Sequence, residues 1–178
     1  MQIISLSSLI HADKTDGREV QKYLSSFACK QNTDVQSYLH NKAANSEKRG
    51  FSRTTLIIDD ENNNDIIGYF TLLIKNFDFT DVSGTIKSKL TGNKKATSFT
   101  TILIAQLGRA DSYKGKVTGG QILEIALERC SLINELSAVR VACVEYEDIE
   151  PLHKFYSENE FKIIQKNDNG YLISYVRL

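Results

Sequence analysis

Apolar and polar positions repeat with a period that changes along the chain, and each change predicts a new element. Gln2–Leu6 is a short strand candidate. "TDVQSYLHNKAANSEKRG" then sets Val35, Leu39 and Ala43 at helical spacing behind Thr33, a residue type that caps helix starts. The β-branched and aromatic runs "RTTLIID" and "IIGYFTLLI" flank the polar turn "DENNND", which predicts an antiparallel hairpin. Lys75 to Ser98 loses this order; with two glycines and five lysines it reads as a long, mobile excursion holding one short helix.

"FTTILIAQL" is long and apolar enough for a central strand. A helix is expected from Thr118 to Glu135, with Ile122, Leu123, Ala126, Leu127, Cys130 and Ile133 on its core face. "AVRVACV" predicts a buried strand, and "PLHKFYSEN" a short helix with Pro151 in its first turn. "FKII" and "YLISYV" pair around "NDNG". The result is a mixed α/β chain of mostly antiparallel hairpins with one strand–helix–strand crossover from Phe99 to Val144, expected to form a single domain over residues 1–178.

Composition changes this picture little. Lys+Arg 22 against Asp+Glu 22 leaves no net charge, so only a local basic patch could draw a polyanion. Cys29, Cys130 and Cys143 form no C-x-x-C pair and read as buried free thiols in a reducing, cytoplasmic setting. The start "MQIISLSSLIHADK" is too weakly apolar for a secretory signal, and no run approaches the ~18 apolar residues of a membrane span.

Candidate chemistry gathers where the central strand turns into the long helix, in "LGRADSYKGKVTGGQILEIALERC". A basic, glycine-bearing turn ahead of a helix offers unpaired N–H groups, a favourable dipole and cations to an anion. The main-chain donors run from Lys116 to Gln121, and the cations are Arg109, Lys114 and Lys116. His11, His40 and His153 are scattered, without metal spacing or a nucleophile partner, so no metal is expected.

The order of elements, this loop–helix and "FYSENEFK" near the end resemble the GCN5-related N-acetyltransferases (GNAT) over nearly the whole chain. "FACKQNTDVQSYLHNKA", "SRTTLIID", "IIGYFTLLI", "QLGRADSYKGK" and "VRVACVEYEDIEPLHKFYSENEFK" resemble the branch that includes acetylating toxins of bacterial toxin/antitoxin pairs. The resemblance implies a splayed, mixed, mostly antiparallel sheet flanked by helices, with acetyl-CoA as co-substrate and direct transfer of acetyl to a primary amine in a ternary complex. It implies an amine acceptor, with charged tRNA among the candidates, an antitoxin partner and a homodimer.

Residue by residue, the family's phosphate motif R/Q-x-x-G-x-G/A falls on Lys114, Val117 and Gly119, so Lys114 and Val117 depart from it. The implied cofactor-binding set is Leu107, Gly108, Arg109, Lys114, Gly115, Lys116, Val117, Thr118, Gly119, Gly120 and Gln121. Leu107–Arg109 would pair with the pantetheine arm, and an N–H there can polarise the thioester carbonyl. Tyr156 falls where the family commonly has a tyrosine beside the sulfur, able to protonate or hydrogen-bond the leaving thiolate; Phe155 next to it is core or a cofactor wall.

Glu145, Glu147 and Asp148 are candidate bases among which the sequence does not choose. A covalent route through Cys143 is disfavoured by its place in the alternating strand "VRVACVEY". The cations available to a tRNA are Lys75, Lys87, Lys89, Lys94 and Lys95. Val117 favours the alternative of a non-catalytic module that keeps the fold and binds a partner.

Overall fold

The structure is a computed structural model that describes residues 1–178. Seven strands and seven helices follow one another as β1 (Gln2–Ser5), α1 (Leu6–Ala12), α2 (Arg18–Leu24), α3 (Thr33–Asn41), α4 (Ala43–Lys48), β2 (Arg53–Asp59), β3 (Asp65–Asp78), α5 (Gly84–Thr91), β4 (Ser98–Arg109), α6 (Gly119–Ser137), β5 (Val141–Tyr146), α7 (Glu150–Glu158), β6 (Lys162–Lys166) and β7 (Leu172–Arg177). The strands form one open sheet in the order β1-β2-β3-β4-β5-β7-β6, which puts β4 at its centre. β4 and β5 are parallel across the α6 crossover, while β1–β2, β2–β3, β5–β7 and β6–β7 are antiparallel.

Two compact units share these elements, Met1–Leu73 with Gln106–Ile125 and Ile74–Ala105 with Ala126–Leu178. In the first, Leu56, Ile57 and Ile58 of β2 and Ile66, Ile67, Tyr69 and Phe70 of β3 are all buried, the continuous run expected of strands covered on both faces. Val35 and Leu39 turn the buried side of α3 inward. Its cap is Asn32, whose side chain accepts from the Val35 N–H at 3.1 Å, and not Thr33, which is already the first helical residue. The chain breaks at Lys42, so the expected helix is two, α3 and α4.

In the second unit, the excursion expected from Lys75 is shorter than the sequence suggests. β3 continues to Asp78, alternating exposed Ile74 and Asn76 with half-buried Lys75 and buried Phe77. With isoleucine at an open position and lysine at a half-covered one, the usual alternation is inverted and the stretch reads as loop. The remainder is anchored: Phe79 stacks on Phe99 at 4.9 Å, its N–H reaches the Thr97 carbonyl at 2.8 Å, and α5 is capped by Ser83 and stopped by Gly92 at φ +79°. Along α6, Ile122, Leu123, Ala126 and Cys130 are buried, with Leu127 and Ile133 half-buried. All three cysteines are free and buried.

Candidate anion seat and the Tyr156 cluster

Gly108, near the end of β4, sits where no side chain fits. A Cβ there would lie 2.5 Å from Val35 Cγ1, 3.1 Å from Tyr69 Cε1 and 3.2 Å from Phe27 Cζ. Its neighbour across the pair is also a glycine: a Cβ on Gly68 would meet the Gly108 carbonyl oxygen at 2.6 Å. Side-chain crowding at Gly108 and close backbone approach at Gly68 therefore leave room for glycine alone at both positions. Leu107 beside it is half-buried.

Beyond β4 the chain is tied down at three points. The Asp111 N–H donates to the Ala28 carbonyl at 2.8 Å, and its carboxylate accepts from the Lys30 N–H at 3.0 Å. Buried Tyr113 donates its hydroxyl to Asp59 Oδ2 at 2.7 Å and accepts from Asn62 Nδ2 at 3.4 Å, pinning the loop to the β2–β3 turn. Arg109 Nη1 donates to the Val117 carbonyl at 3.0 Å. Neither Asp111 nor Tyr113 stood out in the sequence, although an aspartate and a tyrosine inside a polar turn are residue types that fasten loops.

These ties narrow the expected anion seat. Of the donors from Lys116 to Gln121, the N–H groups of Lys116 and Val117 go to the Tyr113 carbonyl at 3.0 Å each. Thr118 and Gln121 form a reciprocal cap: the Thr118 N–H donates to Gln121 Oε1 at 2.8 Å, and the Gln121 N–H to Thr118 Oγ1 at 3.1 Å. Within this unit Gly119 and Gly120 keep their N–H groups unpaired at the first turn of α6. Val117, where the family motif has glycine, has its N–H and its carbonyl both engaged. Gly115 takes φ +82° in open space, a left-handed turn that suits glycine. Lys114 and Lys116 are exposed, Lys116 standing 5.5 Å over the Tyr113 ring. Arg109 Nε is buried and donates to nothing, an orphan donor two residues past Leu107.

In the second unit, Tyr156 on α7 lies in an aromatic cluster, with ring centroids 4.5 Å from Tyr146, 5.0 Å from Phe155 and 5.5 Å from Phe161. Burial, and then the neighbouring Tyr146, push its phenol up to about 12, and the hydroxyl makes no hydrogen bond within the unit. Tyr146 instead pairs with Ser174 Oγ at 3.0 Å.

The three candidate carboxylates separate. Glu145 is held by Lys75 Nζ at 2.9 Å and by Asn167. Asp148 meets Lys166 Nζ at 2.9 Å and His153 Nε2 at 2.6 Å, and these two partners keep its carboxyl below the usual range. Exposed Glu147 takes part in no ion pair. His153 thus has an acidic partner, not a nucleophile. The other two histidines are structural: His40 Nε2 meets the Phe27 carbonyl and His11 Nδ1 the Ser7 carbonyl, each at 2.7 Å. Burial pushes the Cys143 thiol up to about 12, which leaves no thiolate for a covalent route at neutral pH.

No family model matches the chain, and no curated protein matches it in sequence. Solved structures do match its fold. KacT, solved as a tyrosine-to-phenylalanine mutant, aligns with TM-score 0.73 at 15% identity over 99% of this chain and 94% of that one. AtaT complexed with acetyl-methionyl-tRNAfMet gives 0.68 at 15% identity, covering 97% and 92%. A mutant AtaT toxin bound to acetyl-CoA and the C-terminus of the antitoxin AtaR gives 0.65 at 15% identity, covering 86% and 84%. The chain shares the GNAT fold of these structures. No helix is long and apolar enough to cross a membrane.

Proposed function

We propose that this chain is an acetyl-CoA-dependent N-acetyltransferase that passes acetyl directly to a primary amine, with the α-amine of an aminoacyl-tRNA as acceptor class. The reading is carried by the anion seat: two unpaired N–H groups, of Gly119 and Gly120, open a long helix close in sequence to Lys114 and Lys116. That set suits a diphosphate, because helix dipole, main-chain donors and side-chain charge all favour negative charge. The fold shared with a toxin that holds acetyl-CoA, and with one in complex with an acetylated aminoacyl-tRNA, supports the same reading. The reading extends to an antitoxin partner, supported by a neighbour solved with the C-terminus of its antitoxin, and to a homodimer of single-domain chains in the cytoplasm.

Acetyl-CoA supplies an activated thioester. Leu107–Arg109 is the segment proposed to hold its pantetheine arm, and Gly119 and Gly120 its diphosphate. Tyr156 acts on the leaving sulfur. With its phenol held near 12 against ~8.5 for a thiol, full proton transfer runs uphill, so Tyr156 serves as a hydrogen-bond donor to the thiolate. An α-amine with a pKa near ~8 loses its proton readily at neutral pH, which lightens the need for a strong base. Glu147, the carboxylate of the three without an ion pair, remains available to order a water.

Calorimetry with acetyl-CoA, followed by CoA release with charged tRNA, tests this. Tyr156→Phe keeps the aromatic packing and removes the hydroxyl, so turnover should fall roughly a hundredfold while acetyl-CoA affinity and melting temperature stay nearly unchanged. Wild-type turnover in the variant would strike Tyr156 from the mechanism. The second reading, a non-catalytic interaction module, is favoured by the engaged N–H groups of Lys116, Val117, Thr118 and Gln121. An absence of acetyl-CoA binding at millimolar ligand would select it.

A further inference from the structure

The chain carries no net charge, yet one groove in the second unit is strongly cationic. A cavity of about 540 Å³ is lined by Lys89, Glu160, Lys162, Tyr175, Val176 and Arg177. Strand register explains why three of these converge. Lys162 of β6 lies directly opposite Tyr175 of β7, so their side chains share a face of the sheet, and Arg177, two residues on, shares it too. Lys89 is added from the last turn of α5. Lys89, Lys162 and Arg177 enter none of the ion pairs of the protein, whereas Lys75, Lys154 and Lys166 of the same unit each do. Three uncommitted cations beside one carboxylate thus border a single groove.

We propose that this groove binds the phosphodiester backbone of RNA. Val176 is the sole aliphatic residue in the lining, so an acidic peptide would find no apolar pocket to anchor in, whereas a phosphate backbone needs only spaced point charges. Arg177 offers a planar fork to phosphate oxygens, and exposed Lys89 and Lys162 offer point charges. Among the lysines of the Lys75–Ser98 segment, the groove selects Lys89; Lys75 is spent on Glu145, and Lys87 stands over the Phe79 ring at 5.4 Å. The choice of RNA rests on the aminoacyl-tRNA acceptor proposed above, and none of the groove residues belongs to the Lys114–Gln121 loop.

The test is fluorescence anisotropy with labelled deacylated tRNA, without acetyl-CoA, across a series of salt concentrations. The triple variant Lys89→Ala, Lys162→Ala, Arg177→Ala should bind roughly tenfold more weakly, with a salt slope smaller by about two to three. A control of equal charge loss, Lys14→Ala, Lys22→Ala, Lys42→Ala, should keep the wild-type slope. If the groove triple melts early, each single variant should still shrink the slope by about one. Unchanged affinity and slope in the groove variants would overturn the proposal, as would loss of poly-glutamate binding with tRNA binding intact. Failure of acetyl-CoA to bind in calorimetry, with the tRNA effect retained, would sink the enzyme reading and leave the groove standing.

Discussion

Gly108 shows how much one missing methyl can decide. With Val35 Cγ1 at 2.5 Å from the nearest Cβ position, Gly108→Ala must push α3 or β4 aside. Overpacking of that kind costs about 1–3 kcal/mol, and urea unfolding should show it as a lower midpoint with an unchanged slope. The sequence marks the glycine but not its reason, since the crowding comes from Phe27, Val35 and Tyr69, far away along the chain. Tyr156 is a candidate only through the family resemblance, because a tyrosine packed by Tyr146, Phe155 and Phe161 has the signature of an ordinary core residue. Tyr113 was missed altogether; nothing in "ADSYKGK" reveals that its hydroxyl has an aspartate waiting on another hairpin.

At the scale of elements, the first turn of α6 carries two demands at once. "TGGQ" is a reciprocal cap as well as the proposed anion seat, and the cap already takes two of the N–H groups. Gln121→Ala should therefore lower stability by about 0.5–1 kcal/mol in urea unfolding, as the Thr118 N–H loses its partner. The same change should leave acetyl-CoA affinity undiminished in calorimetry, because the proposed diphosphate contacts are the main-chain N–H groups of Gly119 and Gly120; a large drop in affinity would shift that role to the glutamine side chain. Hairpins and the Pro151 helix were readable from turn chemistry and periodicity because their contacts are local, and the crossover from its strand–helix–strand order. The length of β3 was not, because Ile74 sits at an open position and Lys75 at a half-covered one, the reverse of the alternation that marks a strand.

For the whole molecule, buried acids set the alkaline limit. Burial pushes Tyr23, Tyr156, Cys130 and Cys143 each up to about 12, and Tyr69 higher still. A raised folded-state pKa adds stability that is complete below the unfolded value and disappears as pH climbs through the folded one. The unfolded chain releases these protons from about pH 8.5 to 10, so urea midpoints should fall steadily between about pH 9 and 12. A flat profile across that window would mean that these groups are solvated in the folded chain. The order of the sheet, with β7 inserted between β5 and β6, was beyond the reach of local pattern, which predicted only that β6 and β7 pair. The tether of Tyr113 to Asp59 has a wider implication. On the proposed reading, a residue fifty-four positions upstream acts as a lever on the anion seat, so drift in a remote hairpin tip can retune affinity without any change to the seat itself.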